Sequence, residues 1–237
     1  MENIVIGIEG LVGAGKTTIS KELLNEIPNS IILHGGNIYR AVVWTIMNSG
    51  INLEEMDIKT KDIDPFEVLK KHNLSVEIEN RESVIYLNGK KVSEEDLQSE
   101  SSSLGVSKMS KVANNENLYK FGKSIISGFK EKYNVILSSR DIVKMFPEVD
   151  YHFFITASLE ERTRRKCIQY TKNEENTDLE NFKKSIRDNI EKRDKLQEEA
   201  GYYKIYDQTI VIDVTEDSSA KESAQKLMKY IKVPSMN

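Results

Sequence analysis

The chain predicts an α/β fold: a five-stranded parallel sheet flanked by helices, with a small antiparallel β-containing insert and a helical lid. Three observations lead there. Short apolar runs recur without the alternation of a half-exposed sheet, which marks strands buried on both faces. Helical stretches separate them, as parallel crossovers require. The first apolar run ends in a glycine-rich turn that opens a helix, "IVIGIEGLVGAGKTTISKELL" over residues 4–24.

In order, "NIVIGIEG" (3–10) reads as the first buried strand, and Lys16 to about Ile27 as a helix stopped by Pro28. "SIILHGG" (30–36) is a second strand, and "NIYRAVVWTIMNSG" (37–50) a helix closing on glycine. The period then changes to two in "LSVEIEN" (74–80) and "SVIYLNGKKV" (83–92), where Asn88-Gly89 signals a hairpin turn. Residues from about 60 to 104 therefore read as an insert with a small sheet of its own, either a decorative lobe or a substrate lobe. A long helix is expected around 105–131, then strands "NVILSSRD" (134–141) and "YHFFITAS" (151–158). Ser158 with Glu161 forms a capping-box signature. Phe182, Ile186 and Ile190 share a face of the next helix, and "QTIVIDV" (208–214) is the last strand before a terminal helix. The predicted organisation is a single chain over 1–237: core 1–36, 105–157 and 205–237, a region 37–104 that carries the insert, and a helical segment about 158–204.

Composition narrows the function classes. Of 237 residues 38% are hydrophobic and 30% charged, the balance of a globular protein. Acidic residues outnumber basic ones 38 to 34, which argues against a bulk electrostatic grip on nucleic acid. The single cysteine, Cys167, fits a reducing cytosol and reads as a helix-packing residue. With no apolar run of about 20 residues, no membrane span is expected. A cytoplasmic protein is the expectation.

"GLVGAGKT" fits G-x-x-x-x-G-K-[ST], with Gly10, Gly15, Lys16 and Thr17 at its fixed positions. Glycines let backbone N–H groups curl around phosphate oxygens, and the helix that follows turns its positive end to the anion. The predicted ATP-binding segment runs through Gly10, Leu11, Val12, Gly13, Ala14, Gly15, Lys16, Thr17 and Thr18. Lys16 can reach the β and γ phosphates, and the Thr17 hydroxyl can help hold Mg²⁺. The motif leaves open whether the phosphoryl passes to water or to an acceptor. No N-K-x-D guanine motif is present, and "VILSSRD" carries serines where motor ATPases place an acid.

Transfer between two anions needs positive charge on both sides of the phosphoryl. Arg40 and Arg140 lie at carboxyl ends of predicted strands, where open α/β sheets bind ligands. Arg162 and Arg164, in "EERTRRK", read as an ordinary charged helix face.

These segments together resemble the bacterial-type cytidylate (CMP) kinases, a branch of the P-loop nucleoside monophosphate kinases. "HGGNIYRAV" is similar to the family's T-G-x-x-Y-R-A, and "IYLNGKKVSEEDLQSESSSLGVSKMSKVA" to the hairpin and V-S-x-x-S-x-V-A stretch of the insert. "SRDI…FP" resembles G-R-D-x-G-T-x-V-F-P, "FFITASLEERTRRK" the strand and lid helix, and "EKRD" the R-D of the lid's return helix. The resemblance implies transfer from ATP, with Mg²⁺, to CMP or dCMP, giving CDP or dCDP and ADP. It implies that Gly35, Arg40, Ser110, Arg140 and Asp141 bind the acceptor, and that Lys16, Arg140, Arg165 and Arg193 act on the phosphoryl group. It also exposes departures. Gly35 stands where the family has a hydroxyl residue, Ser138-Ser139 replaces Asp-Gly, and an expected arginine aligns near Tyr119 or Lys120. After Asp194, "KLQEEAGYYKIYD" replaces a further aspartate, an arginine and a P-L segment. The P-loop ends G-K-T-T where relatives usually have G-K-G-T. Phosphate-gripping groups are kept while base and sugar contacts are lost, which predicts altered acceptor specificity.

Two alternatives stand beside this reading. "IEGLVGAGKTT" also resembles the opening of deoxynucleoside kinases, in which case His34 would stand in for their carboxylate base. A nucleotide-binding regulator without efficient turnover would also explain the lost acceptor residues.

Overall fold

The apolar runs lie side by side in one sheet of the computed structural model, which describes residues 2–48, 70–93, 96–97, 116–171 and 179–233. In chain order its elements are β1 (Val5–Gly10), α1 (Lys16–Glu26), β2 (Ser30–His34), α2 (Gly35–Asn48), β3 (Ser75–Glu79), β4 (Glu82–Leu87), β5 (Lys90–Lys91) and α3 (Glu116–Lys130). They continue as β6 (Asn134–Ser138), α4 (Ile142–Met145), β7 (Tyr151–Thr156), α5 (Leu159–Thr171), α6 (Leu179–Glu199), β8 (Thr209–Asp213) and α7 (Ala220–Met228). The sheet runs β3-β4-β2-β6-β1-β7-β8, with β5 on β4. The five strands β2, β6, β1, β7 and β8 are parallel, as the sequence predicts.

The continuous apolar runs follow from burial on two faces. Ile6 and Ile8 of β1 enter a core with Ile19 and Leu23 of α1, Phe153 of β7 and Leu227 of α7. Val5 enters the opposite core, with Leu33, Leu137, Ile126 of α3 and Ile142 of α4. Successive residues of a strand point to opposite faces, so both faces need apolar side chains.

The hairpin is a correction. It is not a sheet of its own, because β4 pairs with the edge of β2 at Ile32 and Glu82. The Ile32 N–H donates to the Arg81 carbonyl at 2.8 Å, and the His34 N–H to Ser83 Oγ at 2.9 Å. The physical reason lies in the turn between β3 and β4, where Asn80 and Arg81 take φ of 50° and 66°. From there the Arg81 guanidinium donates to the carbonyls of Leu24, Ile27 and Ser30. The last carbonyls of a helix lack helical partners and carry its negative end, so a cation there is favoured. Arg81 thereby stitches the hairpin to α1.

Helix α2 starts at Gly35, two residues earlier than predicted, so the glycines after β2 are helical. The capping box at Ser158 is half formed. The Glu161 N–H donates to Ser158 Oγ at 3.2 Å, but the Glu161 carboxylate turns to Arg164 and Arg165 instead of reaching back. Thr215 accepts from the Ser158 N–H in its place. Among the described residues no helix is long and apolar enough to cross a membrane.

Candidate active site

The carboxyl ends of β1, β2 and β6 open onto one edge of the sheet, where the glycine-rich turn, the start of α2 and Arg140 meet. The turn needs its glycines. Gly10, Gly13 and Gly15 have φ of 143°, 80° and 95°. A Cβ on Gly10 would fall 2.1 Å from the Ile155 carbonyl oxygen. Of the nine residues expected to bind ATP, some serve to shape the loop. The Leu11 N–H donates to Ile155 O at 3.0 Å, and the Val12 N–H to Asp194 Oδ1 at 3.1 Å. The N–H groups of Lys16, Thr17 and Thr18 open α1, where a helix has no partners for them, and both threonines are exposed. That is the anion-facing end of the cradle.

Lys16 donates through Nζ to Gly10 O and Leu11 O, both at 2.8 Å. Burial, together with the charges of Arg140 and Arg193, lowers its pKa to about 8. Asp194 and Glu9 oppose the shift without cancelling it. Arg140 is similarly pushed down, by desolvation first and by Arg193 and Arg40 as well, although part of its side chain reaches solvent. Its guanidinium stands 5.5 Å over the Tyr202 ring. Lys16, Arg140 and Arg193 thus repel one another, and Arg40 adds to the charge felt by Arg140. Among the described residues neither Arg140 nor Arg193 pairs with a carboxylate, whereas Arg162, Arg164 and Arg165 do. Cations gathered at a glycine-rich cradle, with Arg140 and Arg193 lacking a carboxylate partner among the described residues, make a site for a highly charged anion.

The other predicted residues fall as follows. Arg40 lies in α2 and donates to Asn37 Oδ1 at 3.4 Å. Asp141 is buried at a φ of 57°. Its Oδ2 accepts from the Tyr119 hydroxyl at 2.6 Å and faces Lys144 Nζ at 3.1 Å. The next residue is held too, since the Ile142 N–H donates to Glu9 Oε1 at 2.5 Å. Gly35 opens α2 directly against Ser139. Ser110 lies outside the described residues. Arg165 comes to the donor cradle, but its guanidinium is committed to Glu161, to Ala14 O at 3.4 Å and to Val214 O at 2.6 Å. His34, the stand-in base of the nucleoside-kinase alternative, is paired through Nε2 with Glu82 Oε2 at 2.8 Å.

Three contributions are hidden from the sequence reading. Arg162, read there as surface charge, is buried and donates to Ala157 O and Val12 O. It pairs with Asp194, whose other oxygen takes the Val12 N–H and the Tyr203 hydroxyl. The alternating charges of "EERTRRK" mask this burial, since they look like any solvated helix face. Tyr119 is the third, and only its hydrogen bond to Asp141 reveals it. Burial and that bond push the Tyr119 hydroxyl pKa upward, so it stays a donor.

A P-loop on a parallel sheet, with Arg140 and Arg193 acting on its lysine and lacking carboxylate partners among the described residues, defines the class as a P-loop phosphotransferase of the nucleoside monophosphate kinase type. Comparison with known proteins gives the family. The family model described as "Cytidylate kinase" matches residues 6–233, and the chain belongs to that family. A cytidylate kinase from Clostridium botulinum (strain Langeland) is 33% identical over 235 residues, 98% of this chain and 99% of that protein. One from Pseudothermotoga lettingae is 30% identical, covering 98% of each. One from Caldanaerobacter subterraneus is 30% identical, covering 97% of this chain and 95% of that protein.

Proposed function

We propose that the protein transfers the γ-phosphoryl group of ATP to the phosphate of a pyrimidine nucleoside monophosphate, with an acceptor range shifted away from CMP. The observation that carries the transfer is the convergence of Lys16, Arg140, Arg193 and Arg40 without carboxylates to balance Arg140 and Arg193. An oxygen of the acceptor phosphate attacks the γ-phosphorus as the bond to the β-bridging oxygen breaks, and ADP leaves. The acceptor is already an oxyanion, so no strong base is needed; positioning and charge carry the step. Lys16 and Arg193 face the phosphoryl group in flight, and Arg40 and Arg140 hold the acceptor phosphate. Arg165 supports the cradle through Ala14 and Val214.

Mg²⁺ fits this arrangement. Thr17 presents a hydroxyl at the first turn of α1, and among the described residues no group of His, Cys, Asp or Glu forms a protein cage for a metal. Mg²⁺ is commonly held by one or two protein oxygens plus substrate phosphates. There Thr17 would hold the ion, which would supply positive charge against the donor phosphates.

The shift in acceptor is supported by Asp141. Its Oδ2 already takes the Tyr119 hydroxyl and faces the Lys144 ammonium, and both compete with an amino group on a base for this buried carboxylate. A monomer is proposed, because one chain supplies both halves of the site, and a cytoplasmic setting suits the lone Cys167. The division into core, acceptor region 37–104 and lid 158–204 belongs to the same proposal.

ADP release across the ribo- and deoxyribonucleoside monophosphates tests this. The expected result is a best acceptor other than CMP, and a rise of roughly fivefold in kcat/KM for CMP when Tyr119→Phe frees Asp141. CMP turning over far faster than every other acceptor would end the altered-range reading. No turnover of any monophosphate would end the kinase reading.

A further inference from the structure

Gly35 and Ser139 lie against each other at the acceptor edge, and the contact explains both residues. A Cβ placed on Gly35 would sit 2.4 Å from Ser139 Oγ and 2.6 Å from Ser139 Cβ. Real Cβ atoms do not approach that closely. The backbone is not the obstacle, because Gly35 is not among the positive-φ residues; it lies in the first turn of α2. Position 35 is therefore restricted to glycine by Ser139 alone. The two departures noted in the sequence, a missing hydroxyl at 35 and a serine in place of glycine at 139, are one exchange: the hydroxyl has moved across the gap from α2 to the end of β6.

The hydroxyl has somewhere to act. Its hydrogen bond is a 3.5 Å contact to the carbonyl of Arg140, at the limit of what counts as a bond, and the residue is half-buried. It lies against Gly35, the first residue of the 14-residue α2, with Arg40 in the second turn of that helix and Arg140 next in sequence. Arg40 and Arg140 are close enough for their charges to perturb each other. A helix N-terminus and guanidinium groups favour a bound anion, and a hydroxyl beside Gly35 and Arg140 can add a further donor to it.

We propose that Ser139 is a specificity-determining residue whose hydroxyl donates to the phosphate of the acceptor nucleotide, in the role that a side chain at position 35 cannot fill. This rests on the acceptor-site reading above. A purely space-filling Ser139 would make no distinction between ligands with and without a phosphate, and that difference is measurable.

The experiment is calorimetric titration of the full chain with nucleoside monophosphates and with the matching nucleosides, for wild type, Ser139→Ala, Gly35→Thr and the reciprocal pair G35T/S139G. Binding is read directly, so the outcome does not depend on turnover. Ser139→Ala is expected to weaken monophosphate binding roughly tenfold and leave nucleoside binding unchanged. Gly35→Thr should lower the Tm and bind worst. The reciprocal pair should recover monophosphate affinity to within about threefold of wild type. Wild-type affinity in Ser139→Ala, or no recovery in the pair, overturns the role of Ser139 and leaves the kinase reading standing. Wild type that binds no monophosphate overturns both. Ser139-dependent binding without ADP release overturns the kinase reading alone.

Discussion

At the scale of single residues, Lys16 is held in a position it must leave. Its ammonium donates to two carbonyls of its own loop, Gly10 and Leu11, and forms no salt bridge among the described residues, although Asp194 and Glu9 act on it at a distance. The result is an ammonium with a pKa near 8, depressed by burial and by Arg140 and Arg193. A group whose folded pKa lies below its unfolded value destabilises the fold while it is charged. That cost is fully present below about pH 8 and is relieved as pH rises from 8 toward 10.5. Ligand binding runs the other way, because a polyphosphate is attracted only by the protonated form. ATP affinity of the free protein is therefore expected to fall as pH rises through about 8, read by titration at constant ionic strength. Lys16→Met should bind more weakly at pH 7 and lack this step. A wild-type affinity flat from pH 7 to 9 would contradict the placement of Lys16 among those cations.

The elements that position these residues are tied together by a few buried polar contacts. Helix α6 reaches the P-loop through Asp194, which accepts from Val12 N–H and Tyr203 and pairs with Arg162 of α5. Removing the carboxylate leaves Arg162, which is 7% exposed, without its counter-charge. Breaking such a pair typically costs about 3 kcal/mol. Asp194→Ala is expected to lose about that much stability in urea unfolding and to raise KM for ATP, since the loop backbone loses an anchor. Asp194→Asn should cost less, because the amide oxygen still accepts from Val12 N–H. If Asp194→Ala kept wild-type stability, the buried clamp would be refuted. The clamp also shows why sequence patterns reach only part of an element. The period of Phe182, Ile186 and Ile190 is legible along α6, and Ile190 is buried as expected. The inward turn of Arg162 is not, because its neighbours Glu160, Glu161, Arg164 and Arg165 carry the charge pattern of a solvated face.

Across the whole molecule, the parallel sheet was legible because strands buried on both faces must be apolar throughout, as Val5, Ile6 and Ile8 are. The P-loop was legible because its glycines are forced by local backbone geometry, which the clash at Gly10 makes plain. What the sequence concealed depends on contacts between distant segments. The hairpin joins the sheet through Arg81 and α1, which are separated by more than 50 residues. Asp141 reads as an open ligand contact until Tyr119 is seen upon it, 22 residues away. Gly35 reads as a lost hydroxyl until Ser139 is seen beside it. The glycine-rich loop is one short local segment, whereas Gly35, Tyr119 and Asp141 come from separate segments, so the loop could be read first.

The central claim is phosphoryl transfer to a phosphate acceptor, and following the label from γ-³²P-ATP tests it most directly. The full chain is incubated with Mg²⁺, labelled ATP and a mixture of nucleosides and nucleoside monophosphates, and the products are separated by charge. The account predicts label in nucleoside diphosphate, lost in Lys16→Ala and sharply reduced in Arg140→Ala. Label accumulating only as inorganic phosphate, or in monophosphates made from the nucleosides, would contradict it.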